Sequence, residues 1–386
     1  MKVEELALQR KRFAHLSDEE WRWMLQQVEG RQRTYSKLPT FAQIEDWWYP
    51  VRLSCEQCSS EATARYKAEI IKPLSERKDI LIDLTGGYGV DTYFLSEQTK
   101  QAHYVERNKE LCRIAQHNFQ ITHKPIQVHH TSAEDFLAQY SMADSVSCDR
   151  KKDTIVYLDP ARRDAHGGKV FRIEDCEPNV IKILPALRAI SNTILIKFSP
   201  MLDITSALQS LGNEWDVHVV ALHNEVKEII FVTGNNHIHA VNIIQEGNVR
   251  FSFTRSDEKS ALCSMADTMQ AYIYEPNAAI IKAGAFRLVG ERYQLHKLDQ
   301  NTHLYTSNQL IENFPGRVWQ LVSQPIKNQR DIAALGIERA AIVTRNYPLT
   351  PEQLRKKFKL QESDTHFLIG ARIATKPTLL LTKRIY

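Results

Sequence analysis

Three acids, each closing a short strand-like run, and one glycine-rich turn are the residues of this chain best placed to do chemistry. Asp83 follows Ile80-Leu81-Ile82 and opens into Leu84-Thr85-Gly86-Gly87-Tyr88-Gly89-Val90-Asp91. Glu106 closes the run Gln101 to Val105, and Asp159 closes Thr154 to Leu158. Glycines without a Cβ let the backbone take positive φ and approach a ligand closely. An acid at a strand's carboxyl end projects charge into the crevice where open α/β sheets bind ligands. A carboxylate on the next strand, ~20 residues on, is placed to hold ribose hydroxyls. The constellation therefore points to a nucleoside-bearing cofactor.

The turn discriminates between cofactors. A dinucleotide fingerprint needs a third small residue where Thr92 stands, which is a poor fit. The alternative spacing D-x-x-x-G-x-G is met by Asp83, Gly87 and Gly89. It suits S-adenosylmethionine, which offers an amino group and a sulfonium, rather than a pyrophosphate, to an acid. Glu106 could equally be a solvated strand-end charge. After Ile126 to His129 come Ser132, Ala133 and Glu134; Glu134 could meet an adenine amino group or serve as a first-turn acid. Arg65 and Lys67 could reach the methionine carboxylate or lie on a solvated helix face.

Asp159-Pro160 suggests the acceptor side. Many amino-methylating enzymes carry here an acid or amide, two prolines and an aromatic, whose oxygens accept hydrogen bonds from the target amine and so fix its lone pair. Ala161 and Arg162 replace the second proline and the aromatic. This weakens a stacking role, although a guanidinium also stacks on bases and pairs with phosphate. The alternative has Asp159 capping the loop, with Arg162 and Arg163 as surface charges. Cys148 and Cys176 flank this loop without entering it, and Ser199-Pro200 follows the next strand. The covalent route of pyrimidine C5 methylation, which needs a cysteine nucleophile there, is disfavoured.

The order strand, acidic tip, helix recurs four times and predicts a doubly wound α/β sheet. Thr193 to Phe198 adds a fifth strand, and 216–222 with 227–233 pair as an edge hairpin. Residues 1–75 read as helices broken at Pro39 and Pro50; Trp21, Trp23, Trp47, Trp48 and Tyr49 could stack bases, but tryptophan is mostly a core residue. Ser54 to Ile71 reads as one helix presenting Cys55 and Cys58 on a single face, for packing rather than metal binding. After the break Gly234-Asn235-Asn236, residues 236–322 look like a small α+β module; Tyr274-Glu-Pro-Asn277 within it has no assignable chemistry.

Charge concentrates at the carboxyl end. Residues 320–386 hold twelve Lys and Arg against five Asp and Glu, whereas the whole chain is only +4. Thr350-Pro351-Glu352-Gln353 is a capping box with proline at the first helical position. It opens a basic turn, Arg355-Lys356-Lys357-Phe358-Lys359, which a phosphate backbone would attract. Arg345 and Tyr347 lie nearby, and Tyr347 could stack a splayed base. A merely solvated face is the alternative.

Asp83 to Asp91, Glu106 and Asp159 to Arg163 together resemble a class I S-adenosylmethionine-dependent methyltransferase over residues 76–235. With Glu56-Gln-Cys-Ser-Ser-Glu-Ala-Thr-Ala-Arg-Tyr-Lys67 upstream and the basic tail, the whole chain resembles bacterial methyltransferases with a carboxy-terminal THUMP-like domain. The resemblance implies a Rossmann-like, mostly parallel seven-stranded sheet with an antiparallel edge hairpin. It also implies four segments: a helical unit (1–75), the methyltransferase domain (76–235), a ferredoxin-like module (236–322) and a basic THUMP-like domain (323–386). The implied cofactor contacts are Asp83, Thr85, Gly86, Gly87, Gly89, Asp91, Glu106, Arg107, Ala133, Glu134 and Asp159. Asp159, Pro160 and Arg162 are the implied catalytic group. An RNA partner would meet Arg345, Tyr347, Arg355, Lys356, Lys357 and Lys359.

The substrate this implies is a nitrogen on a base of structured RNA. Two alternatives remain: a small-molecule or protein substrate, and an RNA-binding protein that keeps the cofactor fold without turnover. At 386 residues the chain should divide into two or three domains. Met1-Lys-Val-Glu-Glu lacks an apolar signal core, no run approaches ~18 apolar residues, and the six cysteines are scattered, so a cytoplasmic protein without membrane or metal partner is expected.

Overall fold

The computed structural model describes residues 3–77, 79–143, 151, 153–162, 172–212, 214–245 and 247–386. Cys148 and Arg163 lie outside them, as does the side chain of Arg162. The chain forms two compact units, Met1–Val217 with Glu228–Asn235, and His218–Lys227 with Asn236–Tyr386.

The first unit begins with helices. α1 (Asp18–Thr34) starts at a capping box in which Ser17 and Glu20 satisfy each other's backbone N–H groups. The single helix expected over Ser54 to Ile71 is two: α2 (Arg52–Gln57) stops at Cys58 in an extended conformation, and α3 (Glu61–Ile71) restarts behind Ser60, whose hydroxyl caps Thr63 N–H. A serine with its own N-cap geometry competes with helix continuation, and here it wins. The aromatics of this region pack inward. Phe41, Trp47 and Tyr49 share one core with Val90, Phe94, Tyr104 and Phe119, while Trp23 and Trp48 pack at its margin.

Around that core runs the sheet. β1 (Ile80–Asp83), β2 (Gln101–Glu106), β3 (Ile126–His130), β4 (Thr154–Leu158) and β5 (Thr193–Phe198) are parallel, in the order β3-β2-β1-β4-β5. Every residue of β1, β4 and β5 is buried, as a strand covered on both faces requires. The crossovers include α4 (Val90–Leu95), α5 (Lys109–Ile121), α6 (Ala133–Ala143) and α7 (Val180–Ile190). β6 (Trp215–Leu222) and β7 (Glu225–Thr233) form the hairpin, and β7 lies antiparallel to β5. The order 3-2-1-4-5-7-6 is the expected mostly parallel sheet with an antiparallel edge hairpin.

Within the second unit, β8 (His237–Ile244) adds to the His218–Leu222 end of β6, and β9 (Gly247–Thr254) pairs with β8. An exposed hairpin edge is a row of unpaired backbone groups, and the buried Ile238, Ala240 and Val241 let β8 cover it.

A second, seven-stranded sheet completes this unit. It comprises β10 (Tyr272–Pro276), β11 (His296–Asp299), β12 (Thr302–Ser307), β13 (Gly316–Leu321), β14 (Ala341–Arg345), β15 (His366–Ile373) and β16 (Lys376–Arg384), in the order β11-β12-β10-β13-β16-β15-β14. β13 pairs with β16, so residues on either side of position 322 share one sheet. α8 (Ala278–Ala283) is capped by Asn277, and α9 (Pro351–Phe358) carries the Thr350/Gln353 capping box. Among the described residues, no helix is long and apolar enough to cross a membrane.

Candidate active site

The ends of β1, β2 and β4 converge on a cavity of about 610 Å³, a volume typical of small-molecule sites. Its floor is the glycine turn. Gly87 and Gly89 have φ of +54° and +85°, the left-handed region that glycine enters without strain. Gly86 is needed for a different reason: a Cβ there would sit 2.1 Å from the Tyr104 ring. A Cβ on Gly87 would meet only the Thr85 carbonyl, at 3.8 Å, so that side of the turn faces open space.

Asp83 is 1 % exposed. Its carboxylate accepts the Thr92 hydroxyl at 2.5 Å and the Thr85 N–H at 3.0 Å. Burial pushes its pKa up to about 7 despite those two hydrogen bonds. Thr92, the misfit of the dinucleotide fingerprint, is thus the residue that holds the acid. Glu106 accepts from Gly87 N–H at 2.9 Å and from Asn108 N–H at 2.8 Å, which aims it at the turn rather than into bulk solvent.

All eleven residues assigned to cofactor contact line the cavity. Arg107 does so while paired with Glu177 at 2.8 Å on the exposed rim. Ala133 and Glu134 open α6 behind Ser132, whose hydroxyl caps Asp135 N–H. Pro160 is buried but does not line the cavity. Ala161–Arg162 pairs with Cys176–Glu177 in a two-residue ladder, and Glu177 and Pro178 supply part of the wall. A further part of the wall comes from Leu53, Ser54, Gln57, Cys58 and Ser59 of the helical region.

Beneath the cavity lies a charge network. Asp91 Oδ2 accepts the Ser59 hydroxyl at 2.8 Å and the Tyr157 hydroxyl at 2.7 Å, while Lys67 Nζ stands 3.2 Å from Oδ1. Lys67 is fully buried and also pairs with Glu228 at 2.6 Å. Lys197 Nζ lies 2.5 Å from Asp159 Oδ2 and 4.0 Å from Asp91. Burial alone would raise the Asp91 pKa, but Lys67, Lys197 and the two hydroxyls outweigh it and hold it below the usual carboxylate range. Burial likewise works to lower the Lys197 pKa, yet the charges of Asp159, Asp91 and Glu228 hold it above the ordinary lysine value.

Neither Arg65 nor Lys67 reaches the cavity. Arg65 pairs with Glu61 at 2.9 Å and lies over Phe94, whereas Lys67 belongs to the buried network and not to a solvated face. Sequence reasoning misses Lys197, Glu228, Ser59 and Tyr157. One signal is present: Lys197 is a lone charge inside the apolar run Ile194–Phe198, and a charge in a buried strand needs a partner, whereas Glu228 follows Lys227 at the start of its apolar run and does not stand out.

Asp159 N–H donates to Thr85 Oγ1 at 2.6 Å, so the Asp159–Pro160 loop is fastened to the glycine turn. Cys55 and Cys58 donate to backbone carbonyls, and burial raises both thiol pKa values, that of Cys55 to about 12. Among the described residues no group of three His, Cys, Asp or Glu is placed to hold a metal ion.

In the second unit the six residues assigned to RNA separate into two kinds. Arg345 lies 2.5 Å from the buried Glu275, Arg355 lies 2.6 Å from Glu362, and the Tyr347 ring packs on Gly370. Lys356, Lys357 and Lys359 are exposed.

The chain is similar to known proteins. A family model described as a ferredoxin-like domain matches residues 272–315, and one described as THUMP domain-like matches 317–384. The crystal structure of a Porphyromonas gingivalis W83 protein provisionally named a methyltransferase is 33% identical, covers 96% of this chain and 92% of that one, and superposes with a TM-score of 0.84. Two Mycobacterium tuberculosis proteins, from strains H37Rv and CDC 1551, are each described as an uncharacterized S-adenosylmethionine-dependent methyltransferase. Both are 24% identical over 228 residues, 58% of this chain. The match spans 61% of the length of these curated relatives.

Proposed function

Because this chain belongs to the class I S-adenosylmethionine-dependent methyltransferases that carry a carboxy-terminal THUMP-like domain, we propose that it methylates a nitrogen on a base of structured RNA. The observation that supports this reading most is the meeting of a glycine cradle, two strand-end acids and Asp159 around one cavity. The residues fit the cofactor: the open side of Gly87 admits a ligand against the backbone, and Asp83 offers a carboxylate to a cation. When bound, S-adenosylmethionine supplies an electrophilic methyl group on its sulfonium.

In this reading Glu106 holds the ribose hydroxyls, and Asp83 complements the positive end of the methionine portion. Asp159 accepts a hydrogen bond from the target N–H and aims the nitrogen lone pair at the methyl carbon. A bound donor would supply the methyl group to that lone pair and keep its S–C bonding pair on sulfur, and the extra proton on the nitrogen would leave to water. Catalysis is then mainly the alignment of two bound reactants. The exposed Lys356, Lys357 and Lys359 and the THUMP-like match support RNA as the partner. A second reading draws support from Arg345 and Arg355, which are committed to carboxylates. There the tail serves folding alone, and the substrate is a small molecule or protein.

Mass spectrometry of nucleosides from cells with and without the gene tests the proposal. One methylated nucleoside should vanish with the gene, and an unchanged nucleoside profile would favour the second reading. Asp83→Ala should abolish cofactor binding, whereas Asp159→Ala should keep binding and lose turnover.

A further inference from the structure

The mechanism above leaves one buried titratable group beside the acceptor unexplained. Lys197 is 9 % exposed, sits at the carboxyl end of β5, and places its ammonium 2.5 Å from Asp159 Oδ2. Asp159 itself is 38% exposed at the side chain, so one carboxylate oxygen is claimed from below while the group still opens to the cavity. Among the described residues, Oδ1 has no such claimant.

We propose that Lys197 is a positioning residue: it holds Asp159 Oδ2, leaves Oδ1 as the acceptor for the target N–H, and by neutralising the carboxylate restricts the substrate to a nitrogen that is uncharged at neutral pH. This rests on the methyltransferase reading and deepens it. An unpaired carboxylate at this place would attract an alkylammonium, such as a lysine side chain, whose nitrogen has no lone pair to give. The Asp159–Lys197 pair has no net charge, so it offers no comparable attraction to an ammonium. Nor can Lys197 remove a proton from one, because the surrounding carboxylates keep it a cation. An exocyclic amine of a nucleobase is neutral, planar and an N–H donor, which is what a single fixed acceptor oxygen can orient.

The groups that bear on the pair come from every element around it. Ser59 lies in the loop after α2, with its hydroxyl 3.3 Å from Lys197 Nζ. Asp91 lies in α4, Glu228 in β7 beside Lys67 of α3, and Tyr157 in β4. Lys67 already answers Glu228 and Asp91, so Lys197 is the cation left to answer Asp159.

The test uses the full-length protein, labelled S-adenosylmethionine and two acceptors: RNA from cells lacking the gene, and poly-lysine. Wild type should methylate the RNA and leave poly-lysine untouched. Lys197→Met should keep cofactor affinity by calorimetry and change KM for RNA little, but lower kcat by about tenfold or more; Lys197→Arg should recover most of it. In an Asp159→Asn background, Lys197→Met should cost nothing further, because the group it positions is gone. If Lys197→Met alone does not fold, the double variant, which deletes both partners together, and Lys197→Arg decide the matter.

A kcat unmoved by Lys197→Met, or an equal loss in the Asp159→Asn background, overturns the positioning role while leaving the enzyme reading intact. Methylation of poly-lysine by wild type overturns the restriction. A wild type that binds cofactor and modifies neither acceptor removes the enzyme reading and this inference with it.

Discussion

Thr85 and Asp159 stand 74 residues apart in the chain and are joined by one hydrogen bond of 2.6 Å, from the Asp159 backbone N–H to the Thr85 hydroxyl. The glycine turn and the Asp159–Pro160 loop are therefore tied together by a single side chain. Thr85 N–H meanwhile donates to Asp83, so the same residue orients both acids.

Thr85→Val keeps shape and backbone but removes the oxygen. It leaves a partly buried N–H unmet, and denaturant unfolding should show a loss of about 1–3 kcal/mol. Turnover should fall more than cofactor affinity, since Asp83 keeps its own bonds to Thr92 and to the backbone. Equal losses in both would mean that the hydroxyl does not separate the two halves of the site.

The glycines make different predictions. Gly86→Ala drives a Cβ into the buried Tyr104 ring, so it should lower the unfolding temperature markedly. Gly87→Ala meets no side chain, and its positive φ costs about 1–2 kcal/mol. Its Cβ enters the cavity, so the larger effect should be on S-adenosylmethionine affinity. Calorimetry and thermal melts on the two variants should rank them in opposite orders.

Asp83 gives a pH dependence with a definite sign. Its folded pKa of about 7 stands above the ordinary aspartate value of 3.8. Below pH ~4 both states hold the proton and the group contributes nothing. From ~4 to ~7 the unfolded chain releases the proton while the folded chain retains it, so stability falls as pH rises and levels off above ~7. Asp83→Asn abolishes this contribution. Its stability relative to wild type should climb across that window by a few kcal/mol, at about 1.4 kcal/mol for each pH unit crossed. Cofactor affinity should move the opposite way in wild type, rising as Asp83 ionises to meet a cation. A variant whose affinity and stability keep the wild-type slopes would assign the titration to another group.

How much of this is legible in sequence follows from how local each feature is. Asp83, Glu106 and Asp159 each end a strand-like run, and a strand end declares itself over six or seven residues. Lys67 reads as a surface or cofactor-facing residue because its partners Asp91 and Glu228 lie far along the chain, the latter 161 residues away. Nothing within α3 announces a fully buried ammonium. The split between α2 and α3 is legible in principle, since Ser60 ahead of Glu61 and Thr63 is an N-cap signal, but the helical composition on both sides masks it. Glu275 in Tyr274-Glu-Pro-Asn277 has no visible role in sequence for a similar reason, because Arg317 and Arg345, its partners at 3.5 Å and 2.5 Å, come from strands that meet it only in the folded sheet.

That last arrangement separates two effects that a basic tail would otherwise blur. Arg345 answers a carboxylate that is 4% exposed at the side chain, so Arg345→Ala leaves Glu275 with only the longer Arg317 contact. It should destabilise the protein by about 1–3 kcal/mol and weaken RNA binding through folding. Lys356, Lys357 and Lys359 are exposed around the end of α9, and their replacement by Gln should leave the unfolding curve unchanged within about 0.5 kcal/mol. If they meet phosphates, each removes about 0.7 from the slope of log K against log salt on single-stranded RNA, so the triple variant should flatten it by about 2. Filter binding over a salt series reads this directly. A slope that survives the triple substitution would place the phosphate contacts elsewhere. A slope that flattens with Arg345→Ala while stability holds would show Arg345 leaving Glu275 for the nucleic acid.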